Sequence, residues 1–333
     1  MKPSIAKLLS VVFVSTVSAS HGASLSLFET PRDGNAPVIS AISKAKKGID
    51  VEVYELTDEK VIDALIERAK AGVSVRAILN HYGAKSDVPN QAAYSKLSEN
   101  GVQVQFSSPK FKFTHEKAII VDAGTSGQEV LIMTLNLGPG YIDLNDPDIR
   151  GQAPQGASLN FGIVDKDSKD VGVVEDIFNA DWDNKHFSLN GASSLAVSPL
   201  NSRDQLTGQI NSAQKTFHFF AQELGDSQII NALKQAAVRG VEVKGLVSEN
   251  LVKPAVIQAL SEAGVEIKVL KNPYEHAKAA IADSETVYIG SINYTKTSMD
   301  SNRELGIVTA QTDIAKKMET EFSRFWATSV ASK

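Results

Sequence analysis

The sequence predicts an α/β protein built as two tandem α/β/α-sandwich repeats, paired as a pseudo-twofold dimer with one shared site at their interface. Three observations carry this. Residues 42–79 align without gaps on residues 210–247, a shift of 168 positions, with thirteen of thirty-eight residues identical; among them are Glu55/Glu223, Leu56/Leu224, Asp58/Asp226, Gly72/Gly240 and Val75/Val243. The only two His-x-Lys tripeptides of the chain, His115 with Lys117 and His276 with Lys278, follow at matching places. Both tryptophans, Trp182 and Trp326, close the matching segments "VEDIFNADW" and "METEFSRFW", where core packing is their expected role.

Within each copy the pattern is strand, helix, strand. Asp58 and Asp226 stand where a helix N-cap belongs, Val61, Ile62, Leu65, Ile66 and Ala69 follow helical spacing, and Gly72 or Gly240 stops the helix before a β-rich run. A second glycine stop and strand follow in "ENGVQVQF" and "EAGVEIKVL". At 333 residues the chain has room for two such units, each with its own core. The expected division is a repeat over 24–185, a polar, small-residue linker over 186–198 and a repeat over 199–333.

Residues 1–23 read as a secretory signal. Lys2 and Lys7 give a positive start, "LLSVVFVSTVSA" an apolar run too short to span a bilayer, and Val17, Ser18 and Ala19 a small-residue cleavage site. Removing the two lysines takes the formal charge from −5 to −7. The protein is therefore expected to be exported, periplasmic or secreted, and monomeric. An acidic balance speaks against a chain coated in basic surface for nucleic acid, although a local groove is compatible with it. With no cysteine in the chain, disulfides, thiolate metal sites and cysteine nucleophiles are excluded.

Residues two apart on a strand share a face, so His115 and Lys117 emerge together, as do His276 and Lys278. Asp122 and Asp283, each seven residues after its histidine, fall on the other face and read as structural. Pairing the copies brings two imidazoles and two ammonium groups into one cleft. The lysines offer fixed charge for phosphate oxygens, and the histidines offer a nucleophile and a general acid near neutral pH. That set suits displacement at a phosphodiester with no cofactor. A metal role is disfavoured, because neither histidine has a second ligand at metal spacing and each has an ammonium beside it.

"HEKAIIVD" with Thr134 and Asn136, and "HAKAAIAD" with "GSIN" at 290–293, resemble the paired HKD motifs of the phospholipase D superfamily. The resemblance covers nearly all of the chain after residue 23. It implies a phosphohistidine intermediate, with His115 as nucleophile and His276 as acid by family habit. Lys117, Lys278, Asn136 and Asn293 would hold the phosphoryl oxygens, assisted by Thr134 and Ser291. Two departures stand out. Met133 and Thr134 replace Gly-Ser in the first copy, and the carboxylate that orients a histidine is Glu304 in "SNRELGIV" but Asn160 in "ASLNFGIV". A carboxylate stabilises an imidazolium more than an amide does, so the two histidines should differ in basicity.

The substrate classes implied are glycerophospholipids, with peripheral membrane contact, and, as the alternative, nucleic acid cleaved by an exported nuclease. The stretch "SSPKFKFTHEK", residues 107–117, could line a nucleic-acid groove, but an alternating strand is the expected reading. A cardiolipin synthase-type transferase would use the same two motifs; such enzymes are usually anchored, and no stretch of eighteen apolar residues follows residue 23. The long Gly- and Pro-rich connection between Asn136 and Asn160, with Asp143, Asp146 and Asp148, is expected to form a substrate-side lid.

Overall fold

A computed structural model describes residues 25–81, 90–138, 157–191 and 193–331. The expected signal segment and the expected lid with its three aspartates lie outside the described residues.

Each repeat folds around a mixed sheet. The first contains β1 (Ser26–Thr30), β2 (Gly48–Val53), β3 (Ser74–Leu79), β4 (Gln103–Phe106), β5 (Lys117–Val121), β6 (Glu129–Met133) and β7 (Ser158–Asp165), in the order β1-β7-β6-β5-β2-β3-β4. The second contains β8 (Leu195–Ser198), β9 (Thr216–Ala221), β10 (Glu242–Val247), β11 (Glu266–Val269), β13 (Lys278–Ala282), β14 (Thr286–Gly290) and β15 (Glu304–Thr309), with the two-residue β16 (Val330–Ala331) added at its edge. Its order, β16-β11-β10-β9-β13-β14-β15-β8, repeats the first strand for strand. In both, three strands run parallel and the His-x-Lys strand, β5 or β13, joins them antiparallel.

Helices α1 (Ala36–Lys44), α2 (Glu59–Lys70) and α3 (Gln91–Glu99) cover the outer face of the first sheet; α5 (Ser202–Ser212), α6 (Ser227–Val238), α7 (Pro254–Ser261) and the short α8 (Lys296–Asp300) cover that of the second. The duplicated caps are in place: Asp58 accepts from the Val61 N–H, and Asp226 from those of Gln228 and Ile229. Gly72 and Gly240 each stop their helix at φ +90°, a conformation that a Cβ would strain.

Strand alternation divides the apolar residues between two cores. On β5, Ile119 and Val121 face the outer helices while Ala118 and Ile120 face inward; on β6, Leu131 and Met133 face out and Val130 and Ile132 in. The inner faces of both sheets, together with α4 (Ser168–Trp182) and α9 (Thr312–Thr328), form one continuous cluster that includes Phe161, Phe178, Phe220 and Phe322. The repeats thus share a core. Trp182 and Trp326 stack on Phe178 and Phe322 but stay half-buried at its rim, each with a cation over its ring, Arg76 and Lys244 respectively.

Two expectations need correction. Residues 195–198 are not linker: Leu195, Ala196 and Val197 are buried and pair with β15 as β1 pairs with β7, because the repeat's first strand precedes the segment that the sequence alignment detected. Residues 107–116 are not a strand of their own sheet. They cross to the other repeat, where the Lys112 N–H donates to the Ser301 carbonyl and the His115 N–H to that of Arg303, while Phe113 accepts from the Arg303 N–H.

Asp122 and Asp283 do turn away from the site. The carboxylate of Asp122 accepts the backbone N–H groups of Lys46, Lys47 and Gly48, and that of Asp283 those of Gln214, Lys215 and Thr216. Each staples the start of a parallel strand to the end of its neighbour. Although burial opposes ionisation, these N–H donors hold both carboxyls below the usual aspartate range. Asp122→Ala should therefore cost about 2–3 kcal/mol in denaturant unfolding through three orphaned donors, with catalysis of the remaining folded protein unchanged.

Candidate active site

The two His-x-Lys strands are brought together by an exchange between repeats. β12 (Tyr274–Glu275), the lead into His276, pairs in parallel with Ser158 and Leu159 of β7 in the first repeat. Thr114, the lead into His115, forms the matching bridge with Arg303 of the second. Each histidine is thus delivered beside the strand of the opposite repeat. Nδ1 of His115 lies 2.8 Å from Oε2 of Glu304, and Nδ1 of His276 lies 2.7 Å from Oδ1 of Asn160.

Those acceptors fix the rings. A carboxylate oxygen can only accept, so His115 donates from Nδ1 and leaves Nε2 unprotonated. Glu304 is itself held by Ser298 Oγ at 2.7 Å and Asn302 Nδ2 at 2.9 Å. The Asn160 amide is oriented by donating Nδ2 to the Ser158 carbonyl at 3.3 Å, and its Oδ1 also receives Thr134 Oγ1 at 3.0 Å. Thr134 and Ser291 are fully buried and lock these acceptor strands: Thr134 Oγ1 accepts from Phe161 N, and Ser291 Oγ accepts from Leu305 N. Both act as orienting residues. The hydroxyl that replaces Ser at 134 keeps this role.

Lys117 and Lys278 curl back on their own histidines. Each Nζ donates to the carbonyl of the preceding His; Lys278 also donates to Gln222 Oε1 at 2.7 Å, whereas Lys117 lies 5.2 Å from the centre of the Tyr54 ring. Tyr54 and Gln222 occupy equivalent positions, and Tyr54 also sets its ring edge-on to His115 at 4.7 Å. Asn136 and Asn293 are buried with an Oδ1 that has no partner, and Asn293 Nδ2 lies 3.4 Å from Glu223. Sequence reasoning passed over Tyr54 and Gln222, although they directly precede the duplicated Glu55 and Glu223.

Electrostatically the four groups form one site. Desolvation pushes the His115 ring down to about 4 against the pull of Glu304, with Lys117 and Lys278 adding to the depression. His276 is driven well below the ordinary histidine range by burial, then by Lys278, Lys117 and His115. Burial also lowers both lysines, Lys278 to about 8. Glu304 is held below the usual range despite its burial, by His115 and Lys117. Two neutral imidazoles between two lysines make a site short of negative charge.

Beneath His115 sits a second buried charge group that the duplication did not reveal. The guanidinium of Arg303 clasps Asp181 of α4 at 2.6 and 3.2 Å and stacks over Phe111 at 4.4 Å. Glu52 and Glu116 are buried nearby. Burial and Asp181 raise Glu52 well above its ordinary range, and burial raises Glu116 to about 8 against the attraction of Arg303.

The sequence model of a family described as "Cardiolipin synthase, PLD-like domain" matches residues 38–149 and again 206–326. The chain belongs to this phospholipase D-like family. Among its curated relatives are a cardiolipin synthase of Clostridium perfringens, 27% identical over 326 residues, and a cardiolipin synthase 2 of Bacillus cereus, 26% identical over 322. Each alignment covers 86% of this chain, but the chain spans only 66% and 61% of those two proteins. In fold, the phospholipase D-like pair of repeats is similar to the crystal structure of polyphosphate kinase from Porphyromonas gingivalis. That likeness has a TM-score of 0.68 over 90% of this chain and 46% of the kinase; at 17% identity it shows fold alone.

Two outcomes follow from the crossed acceptors. Glu304→Gln should reduce turnover by about 10³–10⁴-fold while Asn160→Ala loses far less, because only the first removes a charge that stabilises an imidazolium. Breaking the clasp by Arg303→Met should destabilise the fold by about 1–3 kcal/mol in equilibrium unfolding, since the buried Asp181 loses its guanidinium hydrogen bonds and keeps Lys110 at 2.9 Å.

Proposed function

We propose that this protein is a phospholipase D-type phosphodiesterase that acts on glycerophospholipids through a phosphohistidine on His115. The observation that supports it is the crossed pair of acceptors: a carboxylate behind one histidine and an amide behind the other. The Nε2 lone pair of His115 attacks phosphorus, the P–O bond to the leaving alcohol breaks, and His276 Nε2–H gives that oxygen its proton. In the second step an incoming hydroxyl loses its proton to His276 and attacks phosphorus, and the P–N bond breaks to return His115. Glu304 balances the cationic ring of the intermediate. Asn136, Asn293 and the two lysines line the place where the phosphoryl oxygens gather charge.

The incoming hydroxyl decides the product. Water gives phosphatidic acid; a lipid alcohol gives phosphatidyl transfer. The relatives bear the name cardiolipin synthase, which favours an alcohol acceptor. Vesicles of phosphatidylglycerol, assayed for cardiolipin plus glycerol against phosphatidic acid, separate the two, and cleavage of single-stranded DNA in place of either would replace the lipid reading with the nuclease one. The activity is expected to survive a chelator.

His276 supplies a sharper test. His115→Asn should abolish turnover of every diester. His276→Asn should lose about 10²–10⁴-fold on a lipid yet still release p-nitrophenol from a nitrophenyl diester as a burst, because that leaving group needs no acid. Absence of a burst in the second variant would reverse the two assignments.

The pH profile carries a sign. A bound phosphodiester brings a negative charge to the two histidines and so raises the affinity of His276 for its proton. The alkaline limb of kcat, which reports the complex, should therefore lie at higher pH than that of kcat/KM, which reports the free protein. Steady-state rates between pH 4 and pH 9 check this.

A further inference from the structure

The first repeat carries a cleft whose basic lining the second repeat does not share. It lies at the far ends of the strands from the active site: β5 leaves His115 and Lys117 and reaches the cleft at Val121 and Asp122, about 16 Å on. The cleft encloses about 760 Å³ between the end of α1, the last turn of α2, the β5–β6 hairpin and the residue after β7. That is the size of a small-ligand site.

Its lining is basic in an acidic protein. Lys44, Lys46, Lys47, Arg68 and Lys166 surround it, with hydroxyls from Ser43 and Ser126; that of Thr125 donates to the Asp122 carbonyl. Of its two carboxylates, Asp122 is consumed by three backbone N–H groups and Glu129 faces Lys166 at 3.6 Å. Nε of Arg68 is buried with no hydrogen-bond partner. A guanidinium donor in that state wants an acceptor.

The duplication supplies an internal control. At the positions of Lys44, Lys46, Arg68 and Lys166 the second repeat has Ser212, Gln214, Ala236 and Ala310, and it retains only Lys215 opposite Lys47. Its β13–β14 hairpin is also shorter, three residues against seven, and lacks the wall formed by Thr125, Ser126 and Gly127. Helix ends do not require these cations: α5 and α6 have no basic residue in their last turns. There Arg239 turns instead to the carbonyls of Ile210, Asn211 and Ala213, its guanidinium satisfied. The fold stands without a basic cleft. The first repeat has added four cations and a longer loop at one place.

We propose that this cleft binds a phosphate group, borne by a soluble phosphorylated compound or by the headgroup of an anionic lipid, at a site separate from the catalytic one. A fork of Arg68 and three or four lysines matches the charge and the acceptor oxygens of a phosphate, and the hydroxyls complete the shell. The inference goes beyond the proposed reaction and does not rest on it.

The test compares the full chain with the variant K44S/K46Q/R68A/K166A, which carries the second repeat's residues, and with Arg68→Ala alone in case the multiple variant does not fold. Calorimetric titration with inorganic phosphate and flotation with phosphatidylglycerol or phosphatidylcholine vesicles are the readouts. Phosphate bound at the active site is common to all forms, and hydrolysis of a nitrophenyl diester, expected unchanged, shows that site intact. The variants should bind phosphate at least about tenfold more weakly, or float with phosphatidylglycerol at least about tenfold less. Loss of phosphate binding alone identifies a soluble ligand, and loss of phosphatidylglycerol flotation alone a lipid headgroup. Equal binding by native and variant protein in both assays would overturn the proposal.

Discussion

The structure depends on a trade of backbone between the repeats. The segment leading to His115 is held by Arg303 through two N–H to carbonyl bonds of 2.9 Å, and the segment leading to His276 by the Ala157 carbonyl, 2.7 Å from the Tyr274 N–H, and by the pairing of β12 with β7. Neither repeat alone can place its imidazole against the acceptor that orients it. The shared apolar cluster around α4 and α9 makes the trade durable, because separating the repeats would expose the inner faces of both sheets at once. Catalytic geometry and tertiary stability are therefore carried by the same interface.

The interface is symmetric in backbone and asymmetric in chemistry. Behind His115 lie Glu52, Glu116, Asp181 and Arg303; the equivalent positions behind His276 are Phe220, Ala277, Phe325 and Leu159, all in the central apolar cluster. A buried arginine with its aspartate offers little net stability compared with such an apolar set. What it adds is position. Arg303 is tied to Asp181 through its side chain and to the His115 lead through its backbone, and the next residue is Glu304. The carboxylate behind His115 is thereby fixed from both sides, whereas the amide behind His276 is fixed by Thr134 and Ser158.

Much of this was legible in the sequence because duplication turns one chain into an alignment with itself. The shift of 168 positions located the helix caps at Asp58 and Asp226, and two His-x-Lys tripeptides located the strands that bring the histidines and lysines together. The strand-face argument separated Asp122 and Asp283 from the site, because a period of two depends only on local geometry. What remained hidden was long-range. No pattern in residues 107–116 reveals that they pair with residues 301–303, so an irregular crossing was read as an alternating strand. The strand β8 looks like linker in the sequence because its partner among the described residues, β15, lies more than a hundred residues on. Glu304 and Asn160 were found as equivalents, but alignment cannot say that each serves the histidine of the other copy. Where the repeats differ in residue type, at Tyr54 and Gln222 or Arg303 and Leu159, self-comparison had nothing to match.

In the proposed reaction, charge balance gives the lysines their place on both sides of the site. Glu304 is the ionised carboxylate that touches His115, against two ammonium groups buried with their histidines. Burial lowers every base in the site, and the lysines beside them add to the depression of both histidines. A phosphodiester entering between the histidines supplies the missing charge. In the proposed reaction it lets His276 take up the proton that the leaving alcohol requires. On that reading the acid is made by the substrate, in the place and at the moment it is used, while His115, its proton committed at Nδ1 to Glu304, presents Nε2 for attack. On that reading, two chemically identical side chains in pseudo-equivalent positions acquire opposite roles from what lies behind them, one carboxylate and one amide.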